Sequence, residues 1–132
     1  SAVRSAVLSG ADSIEHGNYI DRDCIQAMAA YQTVWVPTLA TIRNLLGCGR
    51  YPEEPLQQIY RSVSENVRYA FKEGVMLALG SDAGAYLVPH GQGILDEQEA
   101  FEEILGKRQE LEEKLQAGEN KICCLFQSRR SD

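Results

Sequence analysis

The stretch that decides the predicted fold is Val-Met-Leu-Ala-Leu-Gly-Ser-Asp-Ala-Gly, residues 75–84. Five apolar residues between Gly74 and Gly80 are typical of a short buried strand, because a helix needs a longer span. Asp82 then lies just past the carboxyl end of that strand, where parallel α/β folds carry their chemistry. A second interpretation stays open, in which Asp82 only caps a following helix or forms an Asx turn.

The composition excludes several classes of protein. The chain has 132 residues, of which 44% are hydrophobic and 24% charged, and this suits one soluble domain with its own core. Its formal net charge of -6 is unfavourable for binding phosphates, so we expect no nucleic-acid partner. No apolar stretch approaches the roughly 20 residues that span a bilayer, and no signal peptide is recognised, which predicts a cytoplasmic protein without a membrane partner. The four cysteines lack the spacing of a structural zinc site and are predicted to be free thiols.

Hydrophobic periodicity predicts helices that alternate with short strands. Such alternation indicates parallel strands joined by right-handed crossovers, hence an α/β fold. The predicted elements are a helix over 1–9, a strand over 11–17, a helix over 22–31 with Asp21 as N-cap, a strand over 33–38, a long loop over 39–55 with one helical turn, a helix over 56–73, a strand over 75–80, and helices from Asp96 onward, interrupted at Gly106 and Gly118. Residues 1–126 are predicted to form one domain, and 127–132 a frayed tail.

Both histidines of the chain lie in predicted turns. His16 ends the first strand, and His90 lies in the loop after Asp82. Each could be an ordinary loop histidine. In a parallel sheet, however, the carboxyl ends of all strands lie at one edge, which places His16 and Asp82 on the same side. Imidazole and carboxylate are the ligands of catalytic zinc sites, although two ligands do not complete one.

Four segments resemble the amidohydrolase superfamily, in the family's order. Residues 10–17, Gly-Ala-Asp-Ser-Ile-Glu-His-Gly, are similar to its sixth-strand motif, and residues 34–39, Val-Trp-Val-Pro-Thr-Leu, to its seventh strand. Residues 74–84 are similar to its eighth strand. Pro-His-Gly at 89–91 resembles the following loop in the imidazolonepropionase and Xaa-Pro dipeptidase-like branch.

The resemblance implies a fold and a set of roles. The fold would be α/β, a partial (β/α)8 TIM barrel with strands six to eight, their flanking helices and C-terminal helices. His16 would be a metal ligand, and Asp82 would contact the metal and act as general base. His90 and Gly91 would face the substrate. The implied cofactor is a divalent metal, zinc before manganese or iron, and the implied reaction is hydrolysis of a C–N bond in an amide, cyclic amide or dipeptide.

The sequence also departs from the family pattern. The family's His-x-His pair, its lysine and a further histidine have no counterparts, which predicts a fragment with low metal occupancy and no activity alone. Its expected partners are a second copy of the chain or a missing N-terminal half of the barrel. The alternative is a truncated, non-catalytic structural or interaction module. A phosphate site at 91–93, Gly-Gln-Gly, is a weaker possibility because a P-loop lysine is missing.

Overall fold

A computed structural model describes residues 1–128, which form six α-helices around two short strands. The elements are α1 (Ala2–Leu8), β1 (Ser13–Glu15), α2 (Arg22–Tyr31), β2 (Val34–Val36), α3 (Ala40–Arg43), α4 (Glu53–Lys72), α5 (Gln92–Leu105) and α6 (Gln109–Ser128). None of the helices in this part of the chain is long and apolar enough to cross a membrane. The predicted frayed tail is helical at 127–128, and its remainder, 129–132, lies outside the described residues.

The two strands are parallel neighbours. Ile14 is paired with Trp35, at the centre of the register. The ladder continues by one bond past β1, because the backbone N–H of His16 donates to the carbonyl of Val36 at 2.9 Å. The predicted parallel direction of these two strands is therefore confirmed.

The predicted third strand, 75–80, is not a strand. It contacts β2 through a single parallel bridge between Leu77 and Trp35, made by two backbone hydrogen bonds. Trp35 N–H donates to Met76 at 2.8 Å, and Ala78 N–H donates to Trp35 at 3.1 Å. A ladder needs successive pairs, and this segment makes only one.

The predicted fold class is wrong for this reason. The described residues show a mainly helical domain with two short parallel strands, and they do not show strands six to eight of a TIM barrel. Periodicity alone could not reveal this, because an extended apolar segment has the same sequence whether or not it finds partners on its edges.

Two predicted helices are confirmed. α2 begins after Asp21, whose carboxylate accepts a hydrogen bond from the backbone N–H of Cys24 at 2.9 Å. α4 begins three residues earlier than predicted, with Glu53 and Glu54 in its first turn, where negative charge stabilises the helix. Pro55 is tolerated there because an amide in the first turn has no intrahelical partner.

The main core lies on one face of the two strands. Trp35 is fully buried at its centre, and residues of all the longer helices pack around it. The principal contributors from the helices are Val7, Ile25, Met28, Val63, Val67, Phe101, Leu111 and Leu115. Burial of this apolar surface is the main stabilising contribution to the fold.

The other face of the strands is covered by the second half of α6. Val34, Val36 and Ala78 are buried there and pack with Ile122. Gly118, where sequence predicted a break, lies inside α6 against the backbone of Leu77, and a Cβ atom at Gly118 would approach the Leu77 carbonyl carbon to 2.8 Å. The glycine is needed for close approach of the helix rather than for its termination.

Candidate functional site

His16 follows β1 directly and is exposed to solvent. Its Nδ1 lies 2.7 Å from the hydroxyl oxygen of Thr38. That hydroxyl has one hydrogen, which it donates to the carbonyl of Pro37 at 2.7 Å. When the Thr38 hydroxyl donates to Pro37, Nδ1 of His16 donates to Thr38, and this tautomer leaves the lone pair of Nε2 free. Neutral imidazole in this form is a metal ligand or a general base.

Two further contacts hold His16 in place. The indole N–H of Trp35 donates to the His16 carbonyl at 2.6 Å. Thr38 is itself 3% exposed, and its carbonyl accepts hydrogen bonds from both the backbone and the hydroxyl of Thr41. The buried hydroxyl of Thr38 thus orients the imidazole ring of His16. The indole of Trp35, at the centre of the core, holds the backbone carbonyl of the same histidine.

Asp82 lies in an exposed turn after the segment that contacts β2. Its carbonyl accepts a hydrogen bond from Ala85 N–H at 3.1 Å, which closes the turn. β1 and the 75–80 segment flank β2 on opposite sides, so β2 lies between the segments that precede His16 and Asp82. Both follow parallel segments and therefore lie towards the same edge.

Left-handed backbone recurs where the three parallel segments end. His16, Thr38 and Asp82 have φ angles of 63°, 53° and 54°. Such values are uncommon outside glycine, and for the β-branched Thr38 the conformation is a genuine outlier. Strained residues of this kind concentrate at functional sites. Sequence reasoning missed Thr38, although its place directly after Pro37 at the end of β2 was a usable signal.

His90 and Gly91 lie between the turn of Asp82 and α5. His90 is exposed and lines a surface pocket of about 590 Å3 together with Leu87, Val88 and Asp96. Gly91, with φ of 82°, is the residue from which α5 begins. Both belong to the loop that follows Asp82, as predicted, and their role toward a substrate stays a prediction.

The described residues do not by themselves form a complete metal centre. Within 1–128, no group of three or more His, Cys, Asp or Glu side chains could hold a metal ion. A catalytic zinc site uses three protein ligands and one open position. His16 and Asp82 are the right donor types, but they are two donors only. Any full site would need ligands from outside this part of the chain.

A buried carboxylate supports the loop after β2, and sequence reasoning did not find it. Glu97 of α5 is fully buried, and its Oε2 accepts a hydrogen bond from the backbone N–H of Ala40 at 2.7 Å. Burial raises the pKa of Glu97 to about 7, although the N–H groups of Ala40 and Leu39 favour the charged form. Its Oε1 has no hydrogen-bond partner among the residues described. Glu97 therefore fixes the start of α3.

Comparison with known proteins gives a fold and distant relatives. No family model matches the chain. It is 34% identical over 109 residues to an uncharacterized protein of Mycobacterium bovis and to two of Mycobacterium tuberculosis, and each match includes 78% of this chain but 29% of the relative. The chain thus spans less than a third of the length of these relatives.

A solved structure shares the fold of this chain. It is a Xaa-Pro dipeptidase with bound methionine in the active site, with a TM-score of 0.55 and 23% sequence identity. The match covers 89% of this chain and 32% of that chain. The described residues therefore share the fold of one part of that dipeptidase structure.

Proposed function

We propose that this chain is part of a metal-dependent hydrolase of the amidohydrolase superfamily, which cleaves a C–N bond in an amide, cyclic amide or dipeptide. The proposal is supported by a solved Xaa-Pro dipeptidase of similar fold and by the sequence motifs around His16 and Asp82. A protein of this class would act on a small substrate. The remaining metal ligands would be supplied either by a further part of the protein or by residues of a second copy of this chain.

The observation that carries the proposal is the hydrogen-bonded chain from His16 through Thr38 to Pro37. With the Thr38 hydroxyl donating to Pro37, the hydrogen of the imidazole lies on Nδ1, and Nε2 is free at an exposed edge. A histidine that served only the fold would not need a buried threonine in strained backbone to hold its tautomer. Asp82 supplies a carboxylate at the same edge.

Each residue then has a defined role. His16 Nε2 and the carboxylate of Asp82 would bind the metal, for which zinc is the first expectation. A bound divalent metal would polarise the scissile carbonyl and acidify a water molecule. Asp82 would take a proton from that water and deliver it to the departing nitrogen. His90 and Gly91 would contact the substrate from the loop after Asp82.

Metal binding to the 132-residue chain tests these roles. In a titration of the 15N-labelled chain with Co2+, we expect paramagnetic broadening first around His16, Thr38 and Asp82. Two donors make a weak site, so the measurement must detect binding well above micromolar concentrations. His16→Ala should abolish the selective broadening, since it removes the nitrogen donor, and Asp82→Asn should weaken it.

His90→Ala is the matched control, because it removes the other histidine of the chain and should leave this broadening unchanged. Broadening confined to the acidic helix surfaces and indifferent to His16→Ala would contradict the proposal. It would favour the second candidate, a non-catalytic structural or interaction module. The observation that favours this second candidate is that residues 1–128 contain no group of three potential metal ligands.

A further inference from the structure

Arg50 is held between two tyrosine rings beside the turn of Asp82. Its guanidinium carbon lies 4.4 Å from the ring centroid of Tyr86 and 5.5 Å from that of Tyr51. All three side chains are exposed. Stacking on an aromatic face orients the guanidinium plane. A hydrogen bond to the Tyr86 side chain raises the pKa of Arg50, and a guanidinium has five N–H donors, so others are left for a further partner.

The loop that carries Arg50 is attached to the loop that follows Asp82. The side-chain amide of Asn44 donates to the carbonyl of Leu87 at 2.9 Å and to the carboxylate of Asp96 at 2.8 Å. Tyr86 is four residues past Asp82, directly after the turn that Ala85 closes. These contacts attach the loop between α3 and α4, which carries Arg50, to the loop after Asp82.

Arg50 has no carboxylate partner among residues 1–128, unlike the neighbouring Arg43. Arg43 forms ion pairs with Glu99 at 3.3 Å and with Glu103 at 2.5 Å. The chain contains 19 acidic against 13 basic residues, and Arg50 is a cation that no carboxylate of the described residues neutralises through an ion pair. Guanidinium binds carboxylate through two parallel hydrogen bonds, which gives both orientation and charge selection.

We propose that Arg50 binds the free carboxylate of the substrate and so selects amides of amino acids over neutral amides. The inference rests on the proposed function and names the substrate class of that same site. Tyr51 and Tyr86 are positioning residues, because they orient the guanidinium without contacting the carboxylate. Arg50→Lys would keep the positive charge but could not form the two parallel hydrogen bonds that a guanidinium makes to a carboxylate.

Two small probes that differ only in the charged group test the inference in the full 132-residue chain. They are N-acetyl-L-alanine, which has a carboxylate, and its neutral carboxamide. In NMR titrations without metal, the Arg50 Nε–H signal and the Tyr86 amide should shift saturably with the first probe only. Arg50→Gln should weaken that binding at least about tenfold, since a charge-assisted pair is lost, and Arg50→Lys should weaken it less.

Arg61→Gln is the matched control, because it removes one exposed arginine of α4 with the same change in net charge. Equal shifts with the carboxamide, or equal binding by Arg50→Gln and Arg61→Gln, would overturn the inference. The outcome is independent of the Co2+ titration. Cobalt binding at His16 without carboxylate binding at Arg50 would refute this inference and leave the proposed function standing. Carboxylate binding at Arg50 without cobalt binding at His16 would refute the proposed hydrolase, and with it the role of Arg50 toward a substrate.

Discussion

Glu97 illustrates at the residue scale how one buried group can link stability to pH. Its carboxylate is enclosed by the protein and accepts a hydrogen bond from Ala40, while Oε1 has no partner within the described chain. An uncompensated buried charge is unfavourable, so the folded state prefers the protonated acid. The ordinary pKa of 4.5 is raised to about 7.

The sign of the pH dependence follows from this raised pKa. Between about pH 4.5 and pH 7 the folded protein retains a proton that the unfolded chain releases, so the contribution of Glu97 to stability is full below pH 4.5 and is lost as the pH rises through 7. Glu97→Gln removes this titration. We expect the difference in unfolding free energy between the native chain and Glu97→Gln to change by about 2 to 3 kcal/mol from pH 5 to pH 8.

Urea unfolding at several pH values measures this difference. Glu99→Gln serves as the control, because Glu99 is an exposed residue of the same helix and pairs with Arg43 only at the surface. Its unfolding free energy should follow that of the native chain to within about 1 kcal/mol. A native pH profile parallel to that of Glu97→Gln would show that Glu97 is charged throughout this range.

At the element scale, α6 and the 75–80 segment pack closely against each other. The segment makes one bridge to β2, and α6 approaches the backbone of Leu77 at Gly118. A side chain at position 118 would also contact Ala78, with a Cβ separation of 3.2 Å. The helix therefore covers the segment at a distance that only glycine permits.

Gly118→Ala should destabilise the fold. Helix propensity alone favours alanine by about 1 kcal/mol, whereas the added methyl group would clash with the Leu77 carbonyl. Overpacking of this kind costs about 1 to 3 kcal/mol, so we expect a net loss of roughly 1 to 2 kcal/mol in the free energy of unfolding. Chemical denaturation followed by circular dichroism measures it.

Gln116→Ala provides the comparison, because it changes an exposed position of the same helix and should leave stability within about 0.5 kcal/mol. A stabilised Gly118→Ala variant would mean that α6 does not lie against Leu77. That result would contradict the close packing of α6 on the 75–80 segment.

At the scale of the whole molecule, two short strands lie between a large core and a single helix. The face formed by Val34, Val36 and Ala78 is almost completely buried, and Ile122 of α6 packs against it. Lys121 of α6 also donates to the backbone carbonyl of Gln32 at the end of α2. One helix thus protects one whole face of the strands from solvent.

Removal of α6 should therefore produce a self-associating protein. A chain that ends at residue 108 would expose the apolar face of β2 and lose Leu111 and Leu115 from the main core. We expect oligomers or aggregates in size-exclusion chromatography with light scattering, together with increased binding of a hydrophobic dye. A chain that ends at residue 128 is the control and should behave like the native protein. A monomeric, dye-negative chain after the longer deletion would show that α6 does not cover this face.

Local sequence signals determined the helices and the positions of the candidate residues. The N-cap Asp21 and the apolar stripe of α4 were sufficient to predict those helices, because capping and amphipathic periodicity act over a few residues. The positions of His16 and Asp82 at the ends of parallel segments followed from the same alternation. Helix capping and amphipathic periodicity depend on contacts that are close along the chain.

Only the tertiary structure decided the pairings between distant residues. It left 75–80 as a single bridge, placed Gly118 inside α6, joined His16 to Thr38 and buried Glu97 beneath α3. Each outcome depends on which surface another element covers, and a short apolar run or a lone glutamate has the same sequence in either environment. A hydrogen bond to a partner 22 or 57 residues away produces no local pattern in the sequence. For this reason the sequence alone could not predict the contacts of His16 with Thr38 and of Glu97 with Ala40.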